Sequence, residues 1–264
     1  CDGPLAGLVT APPPGGLLAV DKPAGWTSHD VVAVLRGLFG LRRVGHGGTL
    51  DPLATGVLVI LAGSATRQLG RIHGTAKAYD ALVRFGAETA TDDREGAVTR
   101  AAPAPTLDAA ALDAALAPFC GPIVQVPPDY AAVKVGGKPA YARARAGETL
   151  ELAPRPVTID RLTIAAWAPP ELRLLVVCSS GTYIRALARD LGRALGSAAH
   201  LAALRRIAVG GFDLERAAAL DALRAAGREA ALARLVPLTD ADLVLDPRLL
   251  SEPADRILDA RSVE

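Results

Sequence analysis

GHGGTLDPLATGVLVILAG, residues 45–63, passes from a glycine-rich loop into a six-residue apolar run at 57–62. Gly45, Gly47 and Gly48 let the backbone take positive φ and approach a ligand closely, while Pro52 pushes Asp51 toward an extended conformation at the loop's edge. His46 offers a flat ring on the same loop. The apolar run is far short of the ~20 residues of a membrane span, so it reads as a buried strand, followed by a short helix capped by Ser64 and running to about Ile72. On spacing alone the loop is also a tight turn, with Asp51 capping a helix and His46 at the surface.

Upstream, GLLAVDKP (16–23) reads as a strand stopped by proline. Thr27 and Ser28 cap a helix whose apolar face is Val31, Val32, Val34, Leu35, Leu38 and Phe39. Downstream, residues 77–89 alternate as a strand, and a charged connection, TDDREGAVTRAAPAP, leads to a helix at 107–119. Strand character returns at 121–135, 148–153, 157–167 and 171–178, with a short helix carrying Arg143 and Arg145 and ended by Gly147. SSGTYIRALARDLGRALG is a capped helix with Leu187, Leu191 and Leu195 on one face. LAALRRIAVGGFDL and a helix at 215–235 complete the pattern. Many strands with interspersed helices and no regular βαβ alternation predict an α+β fold on a mixed sheet.

Composition narrows the function. Half of the 264 residues are apolar and 22% are charged, which supplies a sizeable core. Residues 1–15 read as a loose, proline-rich lead-in without the pattern of a signal peptide. With no Met anywhere, including a starter, the chain reads as trimmed at its start. Three scattered cysteines form no CxxC pair, which fits a reducing cytoplasm. The net charge of +1 is unevenly spread: residues 240–264 carry −4 and the rest +5, so the body permits a polyanionic partner. No GxxxxGK[ST], strand-borne GxGxxG, GxSxG or HExxH motif occurs. The four histidines, His29, His46, His73 and His200, are too dispersed in sequence to suggest a ligand cluster.

Six ordered blocks, GLLAVDKPAGWTSHDVV, RVGHGGTLDPLATGVLVI, KAYDALVRFG, VPPDYAAVKVGGKPAYARARAG, CSSGTYIRALARDLG and LAALRRIAVGGF, span roughly residues 16–212. Together they resemble the TruB-type tRNA pseudouridine synthases. The resemblance implies a mixed, largely antiparallel sheet with flanking helices and an insertion. It also implies that uridine 55 of the tRNA T loop is isomerised by breaking the bond from uracil N1 to ribose C1′ and remaking it from C5. No cofactor or metal is implied, since the isomerisation has no net redox change.

Residue roles follow from the same resemblance. Asp51 matches the essential aspartate, nucleophile or base, and Arg185 the arginine that pairs with it; a neighbouring cation favours the ionised carboxylate and aims it. Tyr79 matches the tyrosine that stacks on the target base, Tyr183 a second pocket residue, and Leu204 an apolar residue closing the pocket. His46 matches the histidine that enters the T loop when the uridine flips out, a motion needed because a stacked base is out of a carboxylate's reach. Lys22 and Pro23 are expected to support the catalytic loop from beneath. Arg42, Arg43, Arg67, Arg71, Lys77, Arg143, Arg145, Arg205 and Arg206 are candidates for RNA backbone contacts.

The expected organisation is a lead-in at 1–15, a catalytic domain at 16–237 with an insertion at about 91–147, and a short acidic tail at 238–264 in place of the small PUA domain usual in bacterial members, truncated or missing. A cytoplasmic monomer acting on the T arm of tRNA, without a membrane or protein partner, is expected. Two alternatives stay open: a guide-dependent enzyme acting on another RNA, which the short tail disfavours, and an RNA-binding or RNA-folding protein of the same fold, which has no need of Asp51. A sugar hydrolase with paired carboxylates lacks a second carboxylate block.

Overall fold

The computed structural model describes residues 15–131, 134–135, 138–139, 143 and 152–258. In chain order the elements are β1 (Gly16–Lys22), α1 (Ser28–Phe39), β2 (Val44–His46), β3 (Thr55–Ala62), α2 (Leu69–His73), β4 (Lys77–Phe85), β5 (Ala87–Thr89), β6 (Val98–Ala101), α3 (Ala109–Leu116) and β7 (Gly121–Gln125). There follow β8 (Lys134–Val135), β9 (Lys138–Pro139), β10 (Arg155–Ala168), β11 (Glu171–Cys178), α4 (Ile184–Ala194), β12 (Ala199–Val209), β13 (Phe212–Asp213), β14 (Ala218–Ala219), α5 (Leu220–Ala233), α6 (Arg248–Ser251) and α7 (Ala254–Ile257).

Ten strands form one sheet in the order β14-β1-β3-β12-β4-β11-β10-β7, with β13 on β12 and β2 on β3. Every pairing is antiparallel except β1 with β14 and β3 with β12. The mixed, largely antiparallel α+β architecture is therefore as expected. Alternation splits the sheet into two buried faces. Leu58 and Ile60 of β3, with Leu18 and Val20 of β1, pack beneath α1 and α5. Further along the same face, Ala81, Val83 and Phe85 of β4 meet Leu187 and Leu191 of α4 and Leu112 and Leu116 of α3. The opposite residues, Val57, Val59 and Leu61, lie among Ala65, Ile72 and Phe212. Full burial of each such aliphatic side chain contributes about 1.5–3 kcal/mol.

Helix α1 is specified locally. Thr27 Oγ1 accepts from the Asp30 amide at 3.1 Å, Asp30 accepts from the Thr27 amide at 2.9 Å, and Gly40 ends the helix in the left-handed conformation. Val31, Val32, Leu35 and Phe39 are buried, with Val34 and Leu38 packed at the margin. The close parallel approach of β3 to β12 depends on Gly56: its φ is +98°, and a Cβ there would lie 2.2 Å from the Arg206 carbonyl oxygen.

Several boundaries differ from expectation. Ser64 caps nothing, because residues 63–68 form a 3-10 turn that runs into α2. Helix α4 begins at Ile184 with no side-chain cap. The last long helix starts at 220 rather than 215, because Ala218 and Ala219 pair with β1. The charged connection holds a hairpin, β5–β6. The strand expected at 148–153 falls mostly outside the described residues, and 152–154 is not strand; Arg145 and Gly147 also lie outside them. The segment after Pro237 packs against the sheet: Leu249, Ala254 and Leu258 cover Leu175 and Val177, and Arg161 donates to the carbonyls of Leu249 (2.9 Å) and Glu252 (2.6 Å).

Candidate active site

The loop between β2 and β3 is fixed by hydrogen bonds to its own backbone. All five carbonyls from Gly48 to Pro52 accept a bond: Gly48 and Thr49 from Arg206 (3.0 and 3.3 Å), Leu50 from Ser28 Oγ (3.2 Å), Asp51 from the Ala54 amide (3.1 Å), and Pro52 from the Gly25 amide (2.9 Å) and Lys22 Nζ (3.3 Å). Lys22 is fully buried and also donates to the carbonyls of Pro23 (2.9 Å) and Trp26 (2.7 Å). Burial pushes its pKa down to about 8, against the pull of nearby Asp51. Lys22 Nζ thus joins the Pro52 carbonyl of the loop to the carbonyls of Pro23 and Trp26.

Asp51 is gripped from one side. Arg185 Nε donates to Oδ2 at 2.9 Å and Nη2 to Oδ1 at 3.2 Å, a two-point fork that fixes the plane of the carboxylate. The guanidinium, 5% exposed, is itself satisfied by the carbonyls of Thr91 (2.8 Å) and Tyr130 (3.1 Å), with Asp93 Oδ2 3.7 Å away. Asp51 keeps 34% of its side chain exposed, toward a cleft of about 350 Å³. Tyr79, Tyr183, Arg185 and Leu204 line the same cleft. Tyr79 stands on β4 opposite Arg206 of β12, and burial raises its hydroxyl pKa against the influence of Arg206. Tyr183 precedes α4, and its backbone amide and carbonyl are clasped by Gln125 at 2.8 and 3.0 Å.

His46 lies at the edge of this arrangement. Burial, aided by His29, Arg206 and His73, pushes its imidazole pKa down to about 4. The His29 ring meets it edge-on at 5.4 Å and 82°, and His73 Nε2 is 3.3 Å from the His46 carbonyl oxygen. Three histidines dispersed in sequence are therefore neighbours in space. Among the described residues, however, no group of three or more His, Cys, Asp or Glu is placed to hold a metal.

The expected RNA-contact residues divide. Arg42, Arg43 and Arg67 are exposed; Arg71 is exposed and paired with Asp240 at 2.5 Å. Arg143 is half-buried. Arg206 is corrected: it is 2% exposed and its guanidinium holds the Gly48, Thr49 and Val57 carbonyls, so it supports the loop rather than facing solvent. Lys77 is likewise 5% exposed and bound to the carbonyls of His73 and Thr75. Arg205 is mostly committed to Asp21 (2.7 and 3.0 Å) and Thr55 (3.2 Å). Reading the sequence missed Ser28, Gln125 and the Asp92–Asp93 doublet. The doublet was visible as charge, but nothing local signals that it reaches Arg185.

An anionic oxygen held beside a buried cation, at the mouth of a cleft walled by a tyrosine and a leucine, can meet a flat polar ring and act as nucleophile or base. Residues 36–184 match the TruB family pseudouridylate synthase (N terminal domain), and residues 185–245 the tRNA pseudouridylate synthase B C-terminal domain. Proteins named tRNA pseudouridine synthase B are 54% identical in Thermobifida fusca, over 80% of this chain and 74% of that protein, and 54% in Nocardia farcinica, over 80% and 70%. Among solved structures, a chain of a Cbf5-Nop10-Gar1 complex superposes with a TM-score of 0.62 at 28% identity, covering 79% of this chain and 53% of that one. A chain of an H/ACA RNP bound to a substrate RNA containing 2′-deoxyuridine gives 0.59 at 27%, over 79% and 52%. This chain spans about half the length of those two. No described helix is long and apolar enough to cross a membrane.

Proposed function

This chain belongs to the TruB family of pseudouridylate synthases, and from that membership we propose that it converts uridine 55 in the T loop of tRNA to pseudouridine with Asp51 as its essential group. The N1–C1′ bond breaks, the uracil turns, C5 bonds to C1′, the C5 proton leaves and N1 gains one, so no electron is gained or lost. The single observation that carries the reading is the Arg185 fork, which presents Asp51 to a cleft that Tyr79 and Leu204 also line.

Each assigned role uses a physical property of its side chain. Arg185 fixes the direction of the Asp51 carboxylate through its two-point fork. Tyr79 supplies a flat face for the extruded uracil, and Leu204 and Tyr183 exclude water from the other sides. His46, held uncharged, can take the vacated place in the T loop by stacking, worth roughly 1–3 kcal/mol per base. Exposed Arg42, Arg43 and Arg67 contact phosphates. No resident cofactor enters the reaction. The protein works as a monomer in the cytoplasm, without a protein partner, and residues 16–237 form the catalytic unit.

The tRNA reading is favoured because identity to proteins named tRNA pseudouridine synthase B is about twice that to the matched chain of the Cbf5-Nop10-Gar1 complex. A protein that only binds RNA has no use for a carboxylate held in this fork. The test is tritium release from an unmodified tRNA transcript labelled at uracil C5, beside a transcript with cytidine in place of uridine 55. Release only from the first supports the proposal. Equal release from both contradicts the assigned position, and no release despite tight binding contradicts catalysis.

A further inference from the structure

On one face of α4, Arg185, Arg189 and Arg193 recur every fourth residue, a spacing that stacks side chains one turn apart. All three reach toward the segment that begins at β5. Arg193 pairs with Glu88 at 2.8 Å, Arg189 with Asp92 at 2.7 Å, and Arg185 binds the Thr91 carbonyl at 2.8 Å. Only the last touches Asp51. Among the described residues Asp92 is also the one non-glycine with positive φ, at +59°. That conformation disfavours side chains with a Cβ, although Asp and Asn adopt it more readily than most.

The turn has a visible consequence. With Asp92 left-handed, Thr91 and Asp93 both face Arg185, the first by its carbonyl and the second by its carboxylate, while the Asp92 carboxylate meets Arg189, one turn further along α4. Asp92 and Arg189 are 7% and 8% exposed. Arg189 spends its remaining donors on the Val126 carbonyl (2.9 Å) and Asp190 (2.9 Å), so it is anchored independently of Asp92. The Asp92 backbone is tied to β12 by the Leu201 amide at 3.0 Å.

We propose that Asp92, held by Arg189, is a positioning residue for the isomerisation: it keeps residues 91–93 in the turn that aims Arg185, and through Arg185 the carboxylate of Asp51. The inference rests on the reading of Asp51 and Arg185 given above. Burial pushes the Asp92 carboxyl up to about 6; asparagine keeps an oxygen of the same shape to accept from Arg189 Nη1, and it adopts the left-handed conformation readily.

The test compares Asp92→Gly, Asp92→Asn and Arg189→Met in single-turnover tritium release, with tRNA dissociation constants and melting temperatures measured beside them. Glycine takes the positive φ freely but cannot hold Arg189, so it removes the pairing without straining the backbone. Asp92→Gly and Arg189→Met are expected to slow the reaction by about tenfold or more, as small misplacements of reacting groups do, with tRNA affinity within about twofold. Asp92→Asn should stay within about threefold of the parent rate. A glycine variant as fast as the parent, an asparagine variant as slow as glycine, or affinity falling in step with rate would each overturn the proposal. Asp51→Asn separates the two levels: if it retains turnover, the reading of Asp51 fails, whereas if it is inactive and Asp92→Gly is fast, only the role of Asp92 fails.

Discussion

At the scale of single residues, the site is a set of polar groups whose environments differ sharply. Lys22, Arg185 and Arg206 are buried cations whose hydrogen bonds go to backbone carbonyls or to Asp51, so each fixes geometry that a solvated cation would leave free. Asp51 stays partly open. His46 is the opposite case, a ring kept neutral by burial and by the cationic groups around it. An NMR titration of its imidazole should find a midpoint near 4; a midpoint at the ordinary ~6.5 would contradict the description. The sign for stability follows. Between those two values the unfolded chain binds more protons than the folded one, so His46 contributes a stability that is lost as pH falls through that window. Asp51, Tyr79 and Arg185 were legible only because long sequence blocks resemble a family. Ser28 and Gln125, which brace the site, were not, since Ser28 reads as a helix cap and Gln125 as one more strand residue.

At the scale of elements, the fold was readable where a local rule decides it. The capping box of α1, the apolar runs of β1 and β3 and the alternation of β4 carry their own signals. The start of α5 does not, because it is set by the pairing of β14 with β1, a contact almost two hundred residues apart in the chain. The β5–β6 hairpin is a local pairing, of Ala87 with Ala101 and Glu88 with Arg100, inside what read as one strand and a charged connection. Its attachment to α4 is electrostatic: Glu88, 4% exposed, accepts from Arg193 (3.0 and 2.8 Å) and Arg100 (3.1 Å), which hold its pKa down to about 2 from 4.5. A depressed carboxyl pKa contributes stability that is present above the ordinary value and lost as pH falls through the folded one. Glu88→Gln should therefore be less stable than the parent at pH 6, with the gap in denaturation midpoint narrowing toward pH 3. A gap that stays constant with pH would contradict the account.

At the scale of the whole molecule, a chain with a net charge of +1 meets a polyanion by distribution rather than by total charge. Arg42, Arg43 and Arg67 are exposed, whereas Arg205, Arg206 and Lys77 are committed inside the protein. That division was beyond the sequence, where all six look alike. Replacing Arg42, Arg43 or Arg67 with Ala should lower the slope of log affinity for tRNA against log salt by roughly 1 for each phosphate no longer neutralised. Unchanged slopes in all three variants would contradict the assigned RNA face. The central claim is that the whole fold serves to present one ionised carboxylate to a flipped uridine. It is tested most directly by single-turnover tritium release from C5-labelled tRNA with the parent protein and Asp51→Asn, tRNA binding being measured in parallel. The account predicts a rate lowered by ~10²-fold or more in the variant, with affinity almost unchanged. A variant that releases tritium at the parent rate would contradict it.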